Sequence, residues 1–403
     1  MRRSRIDALI KQQENLTEVT RESIRQVQLQ KLNSLLQREK ERGGYYKGLP
    51  EHLDSLEGLA LLDFTTEEDL AQHGMQMVLT SQSEIQRVLS DATSGTTGKA
   101  KRVFYSEKDC ENTIQLFMAG LGEFVFPGST TMICMPFSGP FGLGELIAEA
   151  ILRLQAKPLK VGCQFSYGEL EEILEQERPD TYVGMPVQLL SMLRYCGKGS
   201  LKRALVSGDA CPDSVVSECE KILGTRLFPH YGSREMGLGG AICCDAHEGM
   251  HLREHHVIAE IIDSNGNILP PGEYGELVIT TIGMDAMPLI RYRTGDYTRI
   301  IPEKCPCGSD VIRLDKLQRN KRESAILSLD EALFALEGLI DYKAEIKEEE
   351  MFFVVLTDGK LSETEVRERI EKLFPNRLAK IIMRKAEGQD RPLYLGKRRI
   401  DIK

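Results

Sequence analysis

The chain has 403 residues, 41% of them hydrophobic, enough for two or three domains with cores of their own. Its 52 Lys and Arg face 61 Asp and Glu for a formal net charge of −9, and the interspersed charges leave no basic stripe, which argues against nucleic acid as a partner. No apolar run reaches membrane-span length, and the basic start Met1-Arg2-Arg3-Ser4-Arg5 runs into polar residues where a secretory leader would be apolar, so ten cysteines read as reduced thiols or metal ligands of a cytoplasmic protein.

Residues 1 to about 45 are polar and helix-favouring, with Leu29, Leu32, Leu35 and Leu36 at helical spacing and a stop at Gly43-Gly44. From about 85 to 230, short apolar runs at 130–135, 181–184 and 203–207 alternate with amphipathic stretches such as 168–176, the rhythm of an α/β sheet. Residues 253 to 301 read as strand after strand, at 256–262 and 275–281, with turns at Asn265-Gly266 and Pro270-Pro271-Gly272. A small α/β tail follows, with a strand over 351–356 and a helix over 364–374. The predicted fold class is α/β. An N-terminal helical region covers 1–45, a large domain covers 46–318 with a β-rich subdomain at about 253–315, and a small C-terminal domain covers 319–403.

The stretch Thr93-Ser94-Gly95-Thr96-Thr97-Gly98-Lys99-Ala100-Lys101 suits a loop around phosphate. Gly95 and Gly98 leave room for close approach, hydroxyls and backbone N–H groups donate to phosphate oxygens, and Lys99 and Lys101 supply positive charge. Two residues separate Gly95 from Gly98 where a Walker loop has four, so P-loop kinases and GTPases are disfavoured. Cys244, His251, Cys305 and Cys307 form a separate set. Three thiolates and an imidazole suit tetrahedral zinc, and Cys305-Pro306-Cys307-Gly308 is tight enough for two sulfurs to face one ion; His247 is an alternative ligand. His255 and His256 read as buried, hydrogen-bonded histidines or as catalytic groups.

The phosphate loop, Tyr231-Gly232-Ser233-Arg234-Glu235-Met236 and the stretch from Ile290 to Asp296 resemble, in this order, the adenylate-forming superfamily of acyl-CoA synthetases. Residues 244–251, 260–263, 270–277 and 286–296 are most similar to its phenylacetate–CoA ligase branch, whose sequences carry cysteines and a histidine at matching positions. The resemblance implies a large N-terminal domain with a small C-terminal lid. It also implies an acid–thiol ligase that activates a carboxylic acid, aromatic or similarly compact, as an acyl-AMP and then forms a thioester. Attack of a carboxylate on the α-phosphorus of ATP brings two anions together, so the site must screen charge and hold Mg²⁺.

Residue by residue, the resemblance places the triphosphate on 93–101, with Ala100 where the family has proline, Mg²⁺ on Glu235 and the ribose on Asp296. Adenine lies along Tyr231 and Gly232, with Ser233 adjacent, and Ser207-Gly208-Asp209 is a further nucleotide turn. Phe137, Phe141, Gly208, Gly237 and Gly239 line the acyl pocket, and Lys397 in Leu395-Gly396-Lys397 is the lysine that reaches carboxylate and phosphate. At the hinge Arg319 survives, but the family's acidic residue and later Arg-Gly pair do not. That departure leaves the acceptor open between CoA, a carrier-protein thiol and an amine, beside a non-catalytic nucleotide-binding reading. A homodimer is implied by the resemblance alone.

Overall fold

A computed structural model describes residues 2–90, 101–319, 324–347, 350–398 and 401–402. It divides into two compact units, one of residues 1–123, 139–141 and 230–318, the other of residues 124–138, 142–229 and 319–403. Residues 319–403, expected as a separate small domain, fall in the same unit as residues 124–138 and 142–229, and residues 1–45 fall with 46–123.

In the first unit, helix Arg5–Gln13 begins where the Ser4 hydroxyl accepts from the Ile6 N–H. Helix Arg21–Arg42 begins at a reciprocal capping box of Thr20 and Ser23 and ends at Gly43, whose φ of 63° is the left-handed stop that glycine adopts without strain. These helices are built into the unit. Ile6, Ile10 and Ile24 pack with Leu116, Ile242 and Val311, while Leu32, Leu35 and Leu36 pack with Ile258, Ile282 and Ile290. The strands Ile85–Ser90 and Arg102–Ser106 pair antiparallel, and Ser106 with Asp109 caps the buried helix Glu107–Leu121.

Strands Ile258–Ile262, Gly275–Thr280 and Tyr292–Thr298 form an antiparallel sheet in the stretch that reads as strand after strand. The first starts at Ile258, two residues later than the pattern predicts, because the His256 and Val257 N–H groups turn back to the Arg253 carbonyl. In a second antiparallel set, Tyr231 pairs with Ala241, Ala241–Cys243 with Met250–Leu252, and that strand with Arg313–Leu314.

The second unit holds a parallel sheet in the order Lys157–Lys160, Thr130–Cys134, Thr181–Gly184, Arg203–Val206 and the Phe228-Pro229 end of Phe228–Tyr231. Its inner strands Thr130–Cys134, Thr181–Gly184 and Arg203–Val206 are largely buried apolar runs, as parallel strands covered on both faces are, while the edge strand Lys157–Lys160 is exposed at both ends. The C-terminal part pairs Leu339–Lys347 antiparallel with Glu350–Thr357, which runs parallel with Leu378–Lys385. Leu189, Leu190, Leu193 and Val215 of the first part share a core with Leu329, Leu333, Tyr342 and Phe353 of the C-terminal part. Among the described residues no helix is long and apolar enough to cross a membrane.

Candidate active site

Two of the sequence motifs meet in the first unit. Glu235 lies in the short turn Arg234–Met236, 6% exposed, and its Oε1 is 2.7 Å from the Lys101 ammonium, which also lies 3.3 Å from Glu67. Tyr105, in the strand Arg102–Ser106, donates its hydroxyl to the Arg234 carbonyl at 2.7 Å and fixes that turn. Burial pushes the Glu235 carboxyl up, but the Lys101 charge and its hydrogen bond outweigh burial and hold it below the usual carboxylate range. Lys101 is raised in return, because attraction by Glu235 and Glu67 outweighs its own desolvation. The result is a buried, ionised carboxylate.

Tyr231 donates its hydroxyl to Asp296 Oδ2 at 2.8 Å, so the second and third motifs touch directly. Asp296 follows Gly295, whose φ of 73° turns the strand, and its N–H bonds the Thr294 hydroxyl at 3.1 Å. Gly232 has to be glycine: a Cβ there would stand 2.5 Å from the Leu238 carbonyl oxygen. Arg291 of the third motif is structural. Its guanidinium bonds both oxygens of Glu260, at 3.1 and 2.9 Å, and stacks over Phe64.

Thr93, Ser94, Gly95, Thr96, Thr97, Gly98 and Lys99 lie outside the described residues, as does the side chain of Arg319. Among the residues expected at the acyl pocket, Gly237 lines a small cavity with Met236 and Met284. Gly239 is packed, since a Cβ would meet Leu116 at 2.6 Å, whereas Gly208 has Met135 and Met185 at 3.8 Å. Phe141, in the first unit, has a φ of 61°; within the second unit the Phe137 ring lies against Gly144. His255 and His256 are buried, both with Nε2 on Gln13 Oε1, at 2.6 and 3.1 Å.

Cys244, His251, Cys305 and Cys307 converge, all buried, with their ligand atoms within 4.8 Å of one another. The sulfurs of Cys244 and Cys305 are 3.7 Å apart, and Cys307 Sγ is 3.5 Å from His251 Nε2. Tetrahedral zinc with ordinary bond lengths has S–S and S–N edges of about 3.8 and about 3.6 Å, so the donor set and its spacing fit such an ion. His251 Nδ1 faces the Val311 carbonyl at 3.2 Å, which turns Nε2 toward the sulfurs. Burial opposes charge on His251, but hydrogen bonds and attraction from Cys305 and Cys307 raise it to about 9; the bond from Cys244 lowers the Cys307 thiol. His247 stays outside this group, with Nδ1 3.8 Å from Cys243 Sγ.

In the second unit Lys397 is exposed, and the residue after it is the opposite. Arg398 is 4% exposed, donates to Asp330 Oδ1 at 3.1 Å, Asp341 Oδ1 at 2.9 Å and the Tyr342 carbonyl at 3.0 Å, and lies over the Tyr342 and Tyr394 rings. Its backbone N–H donates to Asp209 Oδ2 at 2.8 Å, while Asp209 Oδ1 takes the Ala210 N–H. Asp209, expected on a nucleotide turn, thus grips the tail that carries Lys397. Sequence reasoning missed Arg398 because a Lys-Arg-Arg run at a chain end looks solvated. Arg398→Met strands two buried carboxylates and is expected to cost about 3–5 kcal/mol in urea unfolding; a loss under about 1 kcal/mol would contradict this anchor.

The AMP-binding enzyme family profile matches residues 59–285. Phenylacetate-coenzyme A ligase of Thermus thermophilus is 26% identical over 406 residues, spanning 90% of this chain and 85% of that protein. The enzyme of the same name from Aromatoleum evansii is 29% identical over 342 residues, 78% of this chain and 74% of its own. The crystal structure of 2-hydroxyisobutyryl-CoA ligase in the postadenylation state, in complex with R3-HIB-AMP, has the same fold, with a TM-score of 0.76 at 19% identity over 95% of this chain and 90% of that one. The family match takes in more than half of the sequence together with Lys101, Tyr231 and Glu235, and the chain belongs to the AMP-binding enzyme family, the superfamily its motifs resemble.

Proposed function

We propose that the protein activates a carboxylic acid with ATP as an acyl-AMP and transfers the acyl group to CoA. In the first step an oxygen of the acid forms a bond to the α-phosphorus, and pyrophosphate leaves. In the second the CoA thiol loses its proton and bonds the acyl carbon, and AMP leaves. The observation that carries this reading is the buried Lys101–Glu235 pair in the same unit as the Tyr231–Asp296 contact.

Each group has work suited to its chemistry. Asp296 accepts from the ribose hydroxyls, and Tyr231 orients it. Glu235, kept ionised, holds Mg²⁺, which when bound screens the phosphates; Lys101 meets the negative charge that gathers there. Lys397 serves the adenylation step by the family likeness. The Cys244, His251, Cys305 and Cys307 set holds structural zinc that ties the strand Met250–Leu252 to the 305–307 turn. The substrate is an aromatic or similarly compact acid, and the protein works in the cytoplasm.

Incubation with ATP, Mg²⁺, CoA and a panel of acids should release AMP and form the thioester of one acid class. AMP release without thioester would move the acceptor to another thiol or an amine, as the altered hinge allows. Lys397→Ala should depress AMP release while ATP binding is retained; unchanged release would remove Lys397 from the mechanism.

Lys101→Met gives a sign that can be checked. Without the ammonium the two largest effects that oppose burial are gone, and the smaller hydrogen bonds from the Glu235 backbone and Ser233 are left to oppose it, so the ionised form that holds the metal is lost at higher pH than in the parent. The acid limb of the pH–rate profile should move to higher pH, and an unmoved limb would contradict the pairing.

A further inference from the structure

Lys397 stands in a segment pinned at both ends. Asp341 Oδ2 accepts the Leu393 N–H at 2.7 Å, and its Oδ1 accepts from the Arg398 guanidinium at 2.9 Å, so one carboxylate closes residues 393–398 into a loop. Asp330 Oδ1 takes a second guanidinium bond at 3.1 Å, and the Ala344 N–H donates to the Tyr394 hydroxyl at 3.3 Å. These contacts lie within the C-terminal part. They shape the loop without fixing where it sits on the parallel sheet.

Two side chains at the carboxyl ends of the parallel strands do that. Gln188, in the helix Pro186–Cys196 that follows Thr181–Gly184, donates Nε2 to the Tyr394 carbonyl at 3.0 Å. Asp209, in the turn after Arg203–Val206, accepts the Arg398 N–H on Oδ2 and the Ala210 N–H on Oδ1, both at 2.8 Å. Gly208 has a φ of 85°, which glycine adopts without strain and which turns the chain off the strand just before Asp209. Open α/β sheets carry their ligands outside the carboxyl ends of the strands, so the loop is tied to the end of the sheet where a reacting group is wanted.

Of the two side chains, Asp209 acts next to the lysine. Lys397 is exposed, and Gly396 before it has open space where a Cβ would stand, whereas Arg398 after it is 4% exposed. The backbone at Lys397 is therefore located from its C-terminal side. Expected on a nucleotide turn, Asp209 holds a backbone N–H with each carboxylate oxygen.

We infer that Asp209 is a positioning residue for adenylation, which through the Arg398 N–H sets the place from which Lys397 presents its ammonium. This rests on the proposed adenylation activity and on the part of Lys397 in it. A reacting group displaced by about 1 Å can lose about 10²-fold in rate, and a hydrogen bond to a carboxylate is a strong one with which to prevent that.

The test uses the full chain, Asp209→Ala, and Asp209→Asn, whose side-chain oxygen can still accept the Arg398 N–H. Asp209→Ser, too short to reach Arg398, replaces Asp209→Ala should that variant not fold. Asp209→Ala should lower kcat for pyrophosphate exchange by about 10–10²-fold with the KM for ATP within about twofold of the parent, and Asp209→Asn should recover most of the loss. Added to Lys397→Ala, Asp209→Ala should have no further effect. Amide hydrogen exchange over residues 393–398 should be at least about tenfold faster in Asp209→Ala than in the parent. A raised KM for ATP would make Asp209 a nucleotide contact, and a loss that persists in the Lys397→Ala background would make it a general support; either overturns the inference, as does unmoved amide exchange. With no pyrophosphate exchange from any acid in the parent the adenylation reading fails, and the amide arm alone then upholds or overturns the hold of Asp209 on the loop.

Discussion

Glu235→Gln is expected to lower carboxylate-dependent pyrophosphate exchange by about 10²–10³-fold, about 3–4 kcal/mol of transition-state stabilisation, with the fold retained. The substitution keeps the volume of a side chain that is 6% exposed, so it opens no cavity. It removes the negative charge that Lys101 meets at 2.7 Å and that a magnesium ion would require. Lys101 keeps Glu67 at 3.3 Å as a second partner, so the stability lost should be small next to the activity lost. Exchange within threefold of the parent would show that the buried pair is structural. Binding of ATP measured without metal separates the two roles, because only the metal-dependent part should fall.

Removing the proposed zinc from the cysteine–histidine cluster should lower the melting temperature by more than about 10 °C, before activity at low temperature is lost. The cluster is the core of its own corner: Cys244, Ala246, Cys305 and Cys307 form an isolated buried group. Little apolar surface there could hold the 305–307 turn without a metal. His251→Asn should leave less than one zinc per chain by elemental analysis and reproduce the effect of a chelator. A zinc-free preparation that melts where the parent does would contradict the structural role, and so would loss of activity at an unchanged melting temperature.

Much of this was legible because it is local. Apolar runs read as strands over 256–262 and 275–281, which the structure places at Ile258–Ile262 and Gly275–Thr280, and Met351 to Leu356 read as a strand that the structure extends to Glu350–Thr357. The cysteine–histidine set was readable because one residue separates Cys305 from Cys307, while their meeting with His251 depends on Arg313 pairing opposite it, which no local pattern encodes. Lys101 and Glu235 were each marked by a motif, but their contact spans more than a hundred residues of chain. Arg398 escaped notice because an arginine in a basic run reads as solvated, and burial by distant helices and strands overturns that reading.

The same limit applies to the division of the chain. The parallel sheet and the C-terminal part share one core through Leu190, Leu193, Leu333 and Tyr342, a grouping that depends on which apolar faces meet. Capping boxes such as Thr20 with Ser23 and Ser106 with Asp109 fix where helices begin, not what they pack against.

The most direct test of the central claim is exchange of labelled pyrophosphate into ATP, measured with Mg²⁺ across aryl acids and short acids. The account predicts exchange that requires an acid, selects one class of acid, and falls about 10²–10³-fold in Glu235→Gln. Exchange that is absent with every acid in a folded, metal-replete preparation, or that stays within about threefold of the parent in Glu235→Gln, would contradict it.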